Sequence, residues 1–88
     1  MHAVVYEVAH KQGWEGDVEG ELDMIVEGGK QTEGFLSGLW LSDGTTGLAI
    51  IVVESEEVAQ AEAAGAAVIP EASITLQSAK VFEVKRTA

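Results

Sequence analysis

The apolar segments of this 88-residue chain follow the order strand, helix, strand, strand, helix, strand, and few folds accept that order. Ala3-Val4-Val5-Tyr6-Glu7-Val8-Ala9 is β-branched and aromatic with no breaker, which predicts strand one. Gly13 to Gly16 marks a crossing, and Asp17 is placed to cap a helix. Val18, Leu22, Ile25 and Val26 then recur at i, i+4, i+7 and i+8, the stripe of an amphipathic helix. Gly28-Gly29 is expected to end it with a left-handed residue.

Strand two is expected from Gly34 to Ser42 and strand three from Thr46 to Val53, joined through the turn signal Ser42-Asp43-Gly44-Thr45-Thr46-Gly47. Ser55 can cap a second helix whose first turn holds Glu56 and Glu57, the sign that its dipole favours. That helix is expected to run to Val68, with Gly65 kinking or ending it and Pro70 stopping it. Strand four is expected from Ser73 to Arg86. Its Ile74, Leu76, Phe82 and Val84 share a parity with Ser78 and Lys80, which predicts a bulge near Ser78 to Lys80 or a strand that leaves one environment for another.

The order βαββαβ predicts one α+β domain over residues 1–88, the split βαβ or ferredoxin-like unit. Right-handed crossovers then insert strand three beside strand one and place both helices on one face of a four-stranded antiparallel sheet. Leu48, Ile50 and Val52 point one way from strand three, and Ala49, Ile51 and Val53 the other. Strand two offers Phe35, Leu39 and Leu41 against Leu36 and Trp40; strand one offers Val4, Tyr6 and Val8 against Ala3, Val5 and Ala9. Both faces are apolar, while a half-wet antiparallel sheet should alternate. A bare apolar face exceeds what a soluble monomer tolerates. A second copy of the same sheet is the simplest cover, and a homodimer is expected.

Fifteen acidic residues against five basic ones leave a formal charge of −10. Phosphate backbones and anionic membranes need a cationic surface, so neither is an expected partner. The absence of cysteine excludes disulfides and thiolate metal sites. No signal peptide and no membrane span is expected, and the cytoplasm is the expected compartment. No metal is expected either. Asp17-Val18-Glu19-Gly20-Glu21 alternates carboxylates, but Leu22 and Gly28 stand where a calcium loop needs Gly and Glu. Gly28-Gly29-Lys30 lacks the spacing of a phosphate loop, and Ser37-Gly38 lacks that of a nucleophile elbow. The sequence presents no visible nucleophile and base pair for acyl transfer.

Two short stretches, Glu33-Gly34-Phe35-Leu36-Ser37-Gly38 and Val53-Glu54-Ser55-Glu56-Glu57-Val58, resemble strand-two and strand-three junctions of the dimeric α+β barrel superfamily. Within it, the antibiotic-biosynthesis-monooxygenase-like group is the most similar. The resemblance implies a small pocket between sheet and helices in each subunit. It also implies a range of activities: cofactor-free oxygenation of aromatic molecules, haem degradation, isomerisation and roles not yet known. Val53 replaces the tryptophan that haem-degrading members carry, and no histidine lies between Glu56 and Val68. No cofactor is expected.

His10 ends strand one, where a pocket mouth is expected, and an imidazole suits a general base. A partly exposed histidine at a strand end is the plainer reading and the favoured one. Tyr6, Trp14 and Trp40 are the candidate pocket residues, with Trp14 as a lid or staple at the edge; core packing is the alternative for each. Two functions stay open: a cofactor-independent monooxygenase-like enzyme or isomerase acting on a small aromatic or conjugated molecule, and a non-catalytic ligand-binding or dimerisation module.

Overall fold

A computed structural model describes residues 1–66 and 73–88. The elements are β1 (His2–His10), α1 (Val18–Lys30), β2 (Phe35–Ser42), β3 (Thr46–Val53), α2 (Glu56–Ala66) and β4 (Ile74–Glu83). All neighbouring strands are antiparallel, in the order β2-β3-β1-β4. This is the expected ferredoxin-like α+β fold. The expected course of helix two to Val68, and the stop at Pro70, lie outside the described residues.

β1 is central and pairs with both β3 and β4 along its length. The register puts Val4, Tyr6, Val8 and His10 on the helix-covered face with Ile51, Ala49 and Gly47 of β3. The core is small: Val4, Ile51 and Val53 of the sheet and Ala59 of α2 are its fully buried members. α2 is seated on this core, its first turn capped by Ser55, whose Oγ accepts the Val58 N–H at 3.2 Å.

Four local expectations are corrected. Gly28-Gly29 does not stop α1, which continues to Lys30; the cap is Gln31, in right-handed conformation, donating to the Glu27 carbonyl. Helical conformation at these glycines costs about 1 kcal/mol each relative to alanine, but Gly29 lets the helix approach Trp40. A Cβ there would stand 3.4 Å from the indole. The left-handed glycine is Gly34, at φ +86°.

In strand two, the register slips between Phe35 and Ser37. Phe35 therefore shares the core face with Trp40 and not the face of Leu39 and Leu41. The bulge in β4 comes earlier than expected. Val8 faces Leu76 and Glu7 faces Ser78, so Gln77 is the extra residue. That one insertion turns Ile74 and Leu76 toward the helices and Phe82 away from them. β4 ends at Glu83, opposite His2, and not at Arg86; one further hydrogen bond, from the Val84 N–H to the Met1 carbonyl at 3.0 Å, closes the pairing.

Among the described residues no helix covers the opposite face. Leu39, Leu41 and Leu48 lie on it, 58%, 47% and 37% exposed, beside Ile50, Val52 and Val5. Phe82, 52% exposed, joins them opposite Ala3. Glu7, Ser78 and Lys80 make the β4 side of this face polar. The apolar area is thus concentrated on β2, β3 and the first half of β1.

Candidate functional site

α1 does not press against the sheet. Asp17 caps it by accepting the Gly20 N–H at 2.9 Å, yet no residue of the helix is buried. Of the predicted apolar stripe, Val18, Leu22 and Ile25 remain 40%, 36% and 38% exposed and Val26 is half-buried. Beneath them lie Gly47 and Ala49 of β3, with the Val8 and His10 side chains over Gly47.

The result is a half-open cavity of about 550 Å³ between α1 and the sheet. Its roof is Val18, Leu22 and Ile25; its floor includes Tyr6, Val8 and Trp40. Such a volume lies within the range of small-molecule sites. Among the described residues no helix is long and apolar enough to cross a membrane, and no group of three or more His, Asp or Glu side chains is arranged to hold a metal ion.

Three polar contacts interrupt the apolar wall. Tyr6, on β1, donates its O–H to the Glu62 backbone carbonyl at 3.2 Å and to Glu62 Oε2 at 3.4 Å. Burial, followed by the neighbouring Glu62 charge and hydrogen bond, pushes the Tyr6 phenol up to about 12. Near neutral pH it is a donor and not a base.

His10, at the end of the same strand, holds its Nε2 2.9 Å from Ser42 Oγ on β2. Ser42 Oγ also accepts the Gly44 N–H at 3.0 Å. One lone pair and the proton of Ser42 Oγ remain for the imidazole, and which of the two meets Nε2 follows from the ring's tautomer. The turn behind this pair is stiffened by Asp43. Its Oδ1 accepts the Thr46 and Thr45 N–H groups at 2.7 and 2.8 Å, which hold this carboxyl below the usual carboxylate range.

The third contact joins α1 to the start of β4. The Glu21 carboxylate accepts both the backbone N–H and the hydroxyl of buried Ser73. Two hydrogen bonds on one carboxylate tether the helix where its apolar stripe does not.

The predicted residues thus divide. Tyr6, His10 and Trp40 share the cavity. The Trp40 ring lies against Gly38, where a Cβ would stand 2.7 Å from it, so the indole is a wall fixed by close packing. Trp14 is not among the lining side chains. It is 44% exposed, with Lys11 Nζ 5.5 Å from its ring centroid and Gly16 beneath the indole.

Ser42, Glu21 and Glu62 are additions to the sequence reading. That reading found no serine and histidine pair, and the structure brings His10 and Ser42 together from adjacent ends of β1 and β2. The signal within reach was that β1 and β2 both run antiparallel to β3, which brings the ends that carry His10 and Ser42 to one side of the sheet. No family model matches the chain, and no curated protein matches it with significance.

Proposed function

We propose that this protein is a homodimeric α+β barrel that binds a small hydrophobic or aromatic molecule between α1 and the sheet. The observation that carries this reading is the stand-off of α1. An amphipathic helix normally gains its stability by burying its apolar stripe, and here the stripe lines a cavity. A ligand seated there would complete the burial that packing leaves undone. Leu39, Leu41, Leu48 and Phe82 on the uncovered face support the dimer, since a second sheet of the same composition seals them symmetrically.

A second reading, a monooxygenase-like enzyme, is favoured by the His10 and Ser42 pair at the cavity wall. His10 would take a proton from a conjugated substrate, and Ser42 would orient its ring. Tyr6 would serve only as a hydrogen-bond donor. The alternative without turnover needs none of these roles, only the cavity.

Native mass spectrometry of the protein purified from its own host tests both parts of the binding reading. The expected spectrum shows twice the 9.3 kDa chain mass plus a retained small molecule. A bare single chain at every concentration, with no added mass on incubation with small aromatic compounds, would overturn it. Substitution of His10 by alanine separates the two readings: loss of turnover with binding retained supports the enzyme, and unchanged turnover removes His10 from it.

A further inference from the structure

The charged groups in the cavity wall are of one sign. Glu21 and Glu62 line it from the two helices, and no lysine or arginine does so among the described residues. The Glu21 carboxylate is already held by Ser73. Glu62 differs: its side chain accepts the Tyr6 O–H through Oε2 at 3.4 Å, a long contact. An ionised carboxylate has about four acceptor positions, of which the Tyr6 contact uses one. Tyr6 and Trp40 stand in the same wall, and aromatic rings attract cations over their faces. A formal charge of −10 over the whole chain draws cations toward the site and repels anions.

We infer that the ligand is a small amphiphilic amine, an apolar or aromatic body carrying an ammonium group that meets the Glu62 carboxylate beside Tyr6. This rests on the reading of the cavity as a ligand site. The apolar body lies under Val18, Leu22 and Ile25, where it covers the stripe that α1 leaves exposed. The ammonium donates to Glu62, a charge-assisted hydrogen bond in a partly dry setting. An aromatic or fatty carboxylate of the same size would place its charge near two carboxylates, with the His10 imidazole and no lysine or arginine among the described lining residues to meet it.

Calorimetric titration of the intact chain at pH 7 with three matched probes tests the inference: a naphthylmethyl ammonium, the corresponding alcohol, and the corresponding carboxylate. The ammonium is expected to bind at least about tenfold more tightly than the alcohol, equivalent to about 1.4 kcal/mol, with the carboxylate weakest. Raising the salt concentration should shrink the preference for the ammonium, because screening acts on the charged pair. Glu62→Gln, which keeps an acceptor for Tyr6, should bring the ammonium-to-alcohol ratio close to one.

A carboxylate probe that binds as tightly as the ammonium overturns the inference. So does an ammonium preference insensitive both to salt and to Glu62→Gln; the salt series on the unmodified chain decides if the variant does not fold. Binding of the alcohol without preference for the ammonium defeats only the charge argument. Binding of none of the three defeats the cavity reading as well.

Discussion

Replacing Leu39 with glutamate places a charge among the leucines that edge strand β2 presents on the uncovered sheet face and tests whether that face is a seam. Leu39 is 58% exposed in the single chain, so the substitution removes little that the monomer itself buries. Full burial of a leucine contributes about 1.5–3 kcal/mol relative to exposure, and sealing the exposed remainder about 1–1.5 kcal/mol. A two-fold interface counts it twice, which gives about 2–3 kcal/mol, or a roughly 30- to 150-fold increase in the dissociation constant. An unpaired carboxylate in the seam costs several kcal/mol more per protomer, making the true effect larger, at or beyond ~10³-fold.

Sedimentation equilibrium over a wide concentration range reads this directly, with circular dichroism and urea unfolding to show that the monomer still folds. Leu39→Lys is the companion variant. On a chain of charge −10, a glutamate adds to the general repulsion between copies and a lysine subtracts from it. If apolar burial holds the dimer, both variants dissociate it. Parent and variants that sediment identically at every concentration would refute the reasoning, and so would a parent that remains a 9.3 kDa species throughout.

Two further outcomes follow from particular contacts. Tyr6 should titrate with a midpoint near 12 against the ordinary 10, followed by phenolate absorbance. Its raised value means that the folded state holds the proton more tightly, so its contribution to stability is complete below pH 10 and is lost as pH rises toward 12. Tyr6→Phe should abolish that late titration, and an early midpoint would remove the contact with Glu62. Gly28→Ala should stabilise the protein by about 0.5–1 kcal/mol in urea unfolding, because the position is helical and a Cβ there meets nothing within 4 Å. Gly20→Ala, on the same helix, should give no such gain. Its Cβ would stand 2.3 Å from the Asp17 carboxylate that caps α1, and equal gains at both positions would contradict this account of the cap.

Much of the fold was legible before any coordinates. β1, β2 and β3 fall within a residue of where β-branched runs and turn signals put them, because local chemistry decides both their composition and their ends. Asp17 and Ser55 cap the helices for the same reason: a short polar side chain next to free N–H groups. Gly44, at φ +94°, supplies the left-handed residue that the β2–β3 turn requires. Tyr6, His10 and Trp40 could be picked as wall residues, since alternation along a strand assigns each a face.

What the residues alone could not show depends on partners far away in the chain. A slip of one position at Gln77, and another between Phe35 and Ser37, reverses the faces on either side. Each is decided by which pairing fits the neighbouring strand, not by the residue itself. The stop expected at Gly28-Gly29 failed because Trp40, on β2, accommodates the helix there. Tyr6 with Glu62, 56 positions apart, and Glu21 with Ser73, 52 apart, are contacts that only the packed chain creates. Periodicity determined that α1 has an apolar side; the distance at which the packed chain holds that helix from the sheet decided that this side lines a cavity instead of closing a core.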